Sequence, residues 1–237
     1  MRIGARGLAA LVVLGVLANS HPGQAAEPEP AAVEDADPME GLNRATSGIN
    51  RFFRKVIVDP VVDGYQAITP EAVQKALSNA ASNLTEPVTA ASSLLQGDVE
   101  NTKNATGRFL LNTTFGLGGA RDPAREDFGM EQRREDLGTA LGHYGVPAGP
   151  HVVLPILGPS NLRDALGDAA VMLTNPLPAA AAGATGFISY SDHQDDIQGA
   201  TASALDPYVV ERDAYEQRRV YQIQGDQANQ DFPKIGN

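Results

Sequence analysis

A chain of 237 residues with a formal charge of −11 and no cysteine has room for one domain with a real core. The missing cysteines exclude thiol catalysis, disulfides, cysteine-bound zinc and a lipid carried on an N-terminal cysteine. The acidic balance repels phosphate backbones, so no nucleic acid partner is expected, and it gives no electrostatic help on an anionic membrane.

Met1 to Gly7 carries Arg2 and Arg6, Leu8 to Leu17 is apolar, and small residues lead up to Ala25. That order reads as an export signal over residues 1–25, with an uncleaved amphipathic anchor from Met1 to Ala18 as the alternative. No later stretch is long and apolar enough for a transmembrane helix. Residues 26–36, rich in Ala, Pro and Glu, read as a flexible acidic linker.

Asp37-Pro38-Met39-Glu40 has the pattern of a helix start, with Asp37 as cap, Pro38 where no amide hydrogen is needed, and Glu40 closing a capping box. Leu42, Ile49, Phe52 and Val56 recur at helical spacing, with Asn43, Arg44, Arg51, Arg54 and Lys55 off their stripe. Asp59-Pro60 should end this helix. Thr69-Pro70-Glu71 opens a second, striped with Val73, Leu77, Ala80 and Leu84; Pro87 opens a third, closed by Gly97. Asp98 caps a fourth through Asn112. Gly116-Leu117-Gly118-Gly119 is a turn and not a phosphate cradle, since a helix precedes it and the spacing departs from the dinucleotide fingerprint.

Residues 126–132 are charged and expected at the surface, followed by a short helix near Glu135 to Gly142. Glycine and proline across 145–159 leave His151 to Leu154 extended or in a lone strand pair. Ser160 is a credible cap for a helix carrying Leu162, Leu166 and Leu173, stopped by Asn175-Pro176. Leu177 to Ile188 has no charge and is either buried or faces lipid. A polar run from Ser191 to Asp196 leads into further helix, and Asp206-Pro207 opens the last long one. The tail, 225–237, is polar. The sum is an all-α, mainly helical single domain over 37–224.

Chemistry-bearing constellations are sparse. His143, His151 and His193 stand at no spacing that sets two imidazoles on one helical face, and Asp192-His193 with Asp195-Asp196 reads as a solvated run. No nucleophile elbow exists, and a helix cap explains Ser160 beside Gly158-Pro159. No catalytic residue, metal or cofactor is expected. On pattern alone the amphipathic helices turn their apolar stripes inward to make a core.

Several blocks in order resemble the MlaA/VacJ family of outer-membrane proteins. They include Asp37-Pro38-Met39-Glu40-Gly41-Leu42-Asn43-Arg44, Asn83-Leu84-Thr85-Glu86-Pro87, Leu94-Leu95-Gln96-Gly97-Asp98 and Arg108-Phe109-Leu110-Leu111-Asn112-Thr113 running into Gly116-Leu117-Gly118-Gly119. Leu141-Gly142-His143-Tyr144-Gly145-Val146, Gly158-Pro159-Ser160 with Leu162-Arg163-Asp164, and Asp206-Pro207-Tyr208 with Arg212 and Ala214-Tyr215 continue the match. The resemblance implies a disc of amphipathic helices in the inner leaflet of the outer membrane, with apolar sides on acyl chains and a central amphipathic channel. Phospholipid that has strayed to the outer leaflet would enter the channel and pass to a periplasmic, MlaC-like carrier, while the disc associates with trimeric porins. Asn101, Asn104, Thr106, Asn112, Thr113 and Thr114 are the uncharged donors such a headgroup path would use.

On the same ground Leu42, Asn43, Arg44, Ile49 and Asn50 are candidates for the lipid path or its hinge. Equally, Leu42 and Ile49 read as packing residues and Arg44 as a salt-bridge or headgroup partner. Asp37, Pro38 and Glu40 are expected to be structural, and Arg108, Arg163 and Asp164 to pair and hold helices together. Many members carry a lipidated cysteine after the signal, which this sequence lacks; anchoring then falls to embedded helices or a porin, or the protein is periplasmic. Two other readings stand beside lipid transfer: an envelope scaffold that binds a porin without moving lipid, and a lipid hydrolase acting through Ser160 or carboxylates.

Overall fold

The structure, a computed structural model, describes residues 37–174 and 178–224. The expected signal, linker, helix stop at Asn175-Pro176 and polar tail lie outside the described residues. Asp37 starts the described chain by folding a turn and not by capping a helix. Its carboxylate accepts the Met39 N–H at 2.9 Å and its carbonyl the Glu40 N–H at 3.0 Å, so that Met39 occupies the cap position with no side-chain bond. Glu40 pairs forward with Arg44 at 2.6 Å, and the expected capping box is absent.

Helix α1 (Glu40–Phe53) passes through a π-helical turn (Arg54–Val58) straight into α2 (Asp59–Ile68). The expected break at Asp59-Pro60 is therefore wrong. Proline lacks an N–H and its ring crowds the carbonyl one turn back; the wider turn, closed by the Asp59 N–H on the Arg54 carbonyl, makes room for it. Then follow α3 (Glu71–Asn83), with Pro70 and not Thr69 at the cap, and α4 (Glu86–Gln96), ended by Gly97 at φ 78°. Asp98 caps α5 (Val99–Thr114) by accepting the Asn101 N–H, as expected, and α5 packs extensively along α4.

After a single turn, α6 (Pro123–Glu126), an extended stretch leads to α7 (Leu137–His143), opened by a capping box between Asp136 and Thr139. Strands β1 (His151–Leu154) and β2 (Gly158–Asn161) form an antiparallel hairpin with His151 opposite Asn161. Ser160 lies in β2; Asn161 is the residue whose side chain accepts the Asp164 N–H at 2.9 Å and caps α8 (Leu162–Thr174). Helix α9 (Pro178–Ala202) runs through Ser191 to Asp196, so that run is no loop. Its polar groups find partners on α2: Gln66 Nε2 donates to the Ser191 carbonyl at 3.0 Å and Gln194 Nε2 to Asp63 Oδ1 at 3.0 Å. Asp206 accepts the Tyr208 N–H at the start of α10 (Pro207–Gln224).

The helices are turned the opposite way from a water-soluble bundle. Leu42, Ile49, Phe52, Val73, Leu77 and Leu110 are exposed, whereas Asn43, Ser47, Thr89, Ser93, Asn101 and Asn112 are buried. Among the described residues the buried apolar side chains are Val62, Ala105, Pro123, Ala124, Ala140 and Tyr208. The stripes that pattern alone would fold into a core thus face out, and the inward sides are joined by hydrogen bonds.

The polar interior leaves no slack where α7 crosses α8. A Cβ on Gly138 would stand 2.3 Å from Asp164 Oδ1 and 2.6 Å from an Arg219 nitrogen. Gly138→Ala is expected to cost on the order of 3 kcal/mol, read as a lower melting temperature in detergent. Gly41→Ala, on α1 with nothing within 4 Å of the new methyl, should be neutral or slightly stabilising. Equal melting of the two variants would contradict this packing.

Candidate functional site

Three assemblies of polar side chains organise the interior. In the first, α1 grips the hairpin. Asn43 donates to the His151 carbonyl at 2.9 Å and accepts the Val153 N–H at 2.9 Å, behaving as a partner strand; two turns on, Asn50 does the same to the Leu154 carbonyl and the Ile156 N–H, each at 2.9 Å. Asp37 completes this corner by accepting from Asn43 and from the Tyr208 hydroxyl. Arg44 reaches Asp206 at 2.7 Å and lies 4.7 Å from the Tyr208 ring centre, while Ser47, Arg51 and Arg54 all meet Glu211. Leu42 and Ile49 sit on the other face of the same helix, exposed on the apolar rim.

In the second, Arg108 is the hub. Buried on α5, it donates to Glu86 Oε1 at 2.7 Å, to Asp122 Oδ2 at 3.0 Å and to the Met130 carbonyl, tying α4 and the chain around α6 to one guanidinium. Burial pushes the Glu86 carboxyl up, and Arg108 and Gln132 offset that only in part. Asn112 supports the hub by donating to Asp122 Oδ1 at 2.8 Å and accepting the Ala124 N–H at 3.0 Å. Thr113, its neighbour, accepts from Asn83 at 3.0 Å.

In the third, Asp164 lies between two arginines, Arg163 at 2.9 Å and Arg219 at 2.7 Å, and accepts further bonds from Tyr215 at 2.6 Å and Asn161 at 2.8 Å. Burial would raise this carboxyl, but the bonds from Arg219, Tyr215 and Arg163 outweigh it and hold it down at about 2. Arg219 extends the cluster to Asp136 at 2.6 Å, linking α10 to the cap of α7. Sequence reasoning named Arg163 and Asp164 but missed Arg219, Asp136 and Glu86. The available signal was polar: Tyr208, Tyr215 and Arg219 fall on one stripe of α10, and that stripe is the inward one.

A cavity of about 280 Å³ opens between α3, α9 and the segment following α5. Ser78 and Ser82 line it from α3, Ser189 and Asp192 from α9, and Arg108 and Arg134 from the third side. Ile188 and Ala81 add apolar surface, making the lining amphipathic. Of the residues expected on a lipid path, none from α1 lines this cavity, nor do Asn112 and Thr113; Asn112 acts on it through Asp122, which does. Asn101 donates to Ser93 and the Arg133 carbonyl, and Asn104 to the Glu131 carbonyl. Among the described residues no three His, Asp or Glu side chains gather as a metal would require, and no helix is long and apolar enough to cross a membrane.

A sequence profile of the MlaA lipoprotein family matches residues 35–222. The chain is 38% identical over 136 residues to an uncharacterized protein of Rickettsia felis, a match spanning 57% of this chain and 54%, about half, of that relative's length. It is 35% identical over 200 residues to the intermembrane phospholipid transport system lipoprotein MlaA of Escherichia coli, covering 80% of this chain and 79% of that one. A solved chain, from work on the structural basis for maintenance of bacterial outer membrane lipid asymmetry, superposes with a TM-score of 0.72 at 32% identity. That superposition covers 79% of this chain and 99% of the other.

The depressed Asp164 carboxyl, at about 2, predicts an acid-sensitive interior. Because the group titrates lower when folded than when unfolded, its contribution is complete above about pH 4 and disappears as pH falls towards 2. The loss amounts to on the order of 2 kcal/mol. Denaturant unfolding in detergent across this window should show that loss, and Asp164→Asn should be less stable at neutral pH and flatter with pH. A variant as steep as the parent would contradict the assignment.

Proposed function

The chain belongs to the MlaA lipoprotein family, and from that premise we propose that it removes mislocalised phospholipid from the outer leaflet of the outer membrane and hands it to a periplasmic carrier. The observation that carries this reading is the inverted burial of its helices. Apolar surface left towards water is unfavourable by about 25 cal/mol per Å², so a rim bearing Phe52 at 69% and Phe115 at 72% exposure favours an acyl-chain environment. With no crossing helix among the described residues, that rim suits a protein lying within one leaflet, on the periplasmic side.

The amphipathic cavity then serves as part of a headgroup route: hydroxyls, the amides of Asn79 and Gln132, and arginines can replace the water that a phosphate loses on entering. The α1 residues act as its frame. Asn43 and Asn50 fix the hairpin, Arg44 fixes the start of α10, and Leu42 and Ile49 hold the same helix against lipid, so a change here alters how the interior opens without touching the cargo. Asn112 and Thr113 work likewise, positioning the wall that carries Asp122. A trimeric porin beside the rim and an MlaC-like carrier below are the partners this reading assigns. The passage is non-enzymatic; Ser160 is buried, with its hydroxyl on the Asn161 carbonyl at 3.3 Å.

The test is lipid content and leaflet composition. The untagged chain should fractionate with outer membranes and carry phospholipid after mild extraction, and deleting its gene should raise outer-leaflet phospholipid and detergent sensitivity. Phe52→Asp with Leu77→Asp should move most of the protein out of the membrane fraction. Unchanged leaflet composition on deletion, with the protein still membrane-bound, would leave an envelope scaffold and overturn the transport reading.

A further inference from the structure

The side chains lining the cavity come in a charge pattern that pairs off incompletely. Three arginines, Arg108, Arg125 and Arg134, face three carboxylates, Asp122, Glu131 and Asp192. Arg108 is 3.0 Å from Asp122 and is also held by Glu86, and Arg125 stands 3.8 Å from Glu131. That leaves one cation and one anion. Arg134 bonds only neutral groups among the described residues, Gln132 Oε1 at 3.0 Å and Ser82 Oγ at 3.2 Å. Asp192 accepts from Ser78 Oγ at 2.6 Å and has no cation within ion-pair distance among the described residues.

The two are tethered to the same helix. Their tethers, Ser78 and Ser82, lie on one face of α3 a single turn apart, about 6 Å along the axis. A guanidinium and a carboxylate so spaced are complementary to a phosphate and an ammonium joined through two carbons. We propose that this cavity selects phosphoethanolamine headgroups, Arg134 meeting the phosphate and Asp192 the ammonium; this rests on the transport reading above. A glycerol headgroup carries no cation for Asp192. A choline headgroup has the charge but no N–H to donate, and among the described residues no Phe, Tyr or Trp lines the cavity to receive a quaternary ammonium by its ring face.

The full chain, incubated with vesicles of equimolar phosphatidylethanolamine, phosphatidylglycerol and phosphatidylcholine matched in acyl chains, is re-isolated and its bound lipid counted by mass spectrometry. Phosphatidylethanolamine should be enriched about fivefold over the other two, the size of one partly exposed charge-assisted hydrogen bond. Asp192→Asn should bring that ratio to about one while total lipid is kept, and Asp192→Lys should turn the preference towards phosphatidylglycerol. Arg134→Gln should lower all three together. Bound lipid without preference in the parent, or a preference that survives Asp192→Asn, overturns the headgroup selectivity and leaves transport standing. A chain that binds no phospholipid of any kind overturns both.

Discussion

The interior of this protein is polar, and most of its buried side-chain groups are satisfied by one another. A buried hydroxyl, amide or charge has no bulk water to fall back on, so a missing partner costs far more than a present one contributes. Arg108 illustrates the solution: three acceptors from three parts of the chain, converging on one buried guanidinium. Asp164 is the mirror case, a buried carboxylate with donors from Arg163, Arg219, Tyr215 and Asn161. Removing either centre would strand the charges it neutralises, which makes these clusters specifiers of the fold more than sources of net stability.

Helix α1 couples this interior to the rim because it belongs to both. Asn43 and Asn50 point into the fold, where each side-chain amide substitutes for a backbone strand edge, while Leu42 and Ile49 on the adjoining face are exposed. The π-helical turn after it lets the rod continue past Pro60, carrying Val56, Ile57 and Val61 on along the rim. A strain-free stop at proline would have ended that apolar surface a full helix early.

What the sequence revealed was local. Asp98, Gly97 and the Asp206-Pro207 start act within a few residues, so cap and terminus chemistry located them without tertiary knowledge. Some failures were local: Met39 and Pro70 occupy the cap positions expected of Asp37 and Thr69, and Glu40 pairs forward instead of closing a capping box. Others were tertiary. Nothing near Ser191 to Asp196 marks it as helix, because its partners Gln66 and Asp63 lie more than a hundred residues away in the chain. The π turn is closed within its own rod, by the Asp59 N–H on the Arg54 carbonyl, and no motif marks it; Ser160 lost its capping role to Asn161 because the hairpin register carried the strand one residue further. Periodicity located the apolar stripes but is silent on the medium they face; only the family resemblance pointed them outward. Arg108, Arg163 and Asp164 were legible as charges needing partners, while Arg219 and Glu86 were hidden because the reading followed apolar spacing when the polar spacing carried the inward side.

For the transport proposed above, the same inversion would let a wall of the cavity yield without unfolding the protein. Helix α9 meets α2 and α3 through bonds such as Gln66 to Ser191, Gln194 to Asp63 and Ser78 to Asp192, alongside the Tyr65–Phe187 edge contact. Separating two apolar surfaces in water costs about 25 cal/mol for each Å² exposed. Exchanging a serine–carboxylate hydrogen bond for one to a headgroup replaces like with like, and the net change is close to zero. A seam closed by exchangeable polar bonds, inside a rim held by its surroundings, can therefore open to a charged guest at little cost while the Arg108 and Asp164 clusters keep the remaining helices in place.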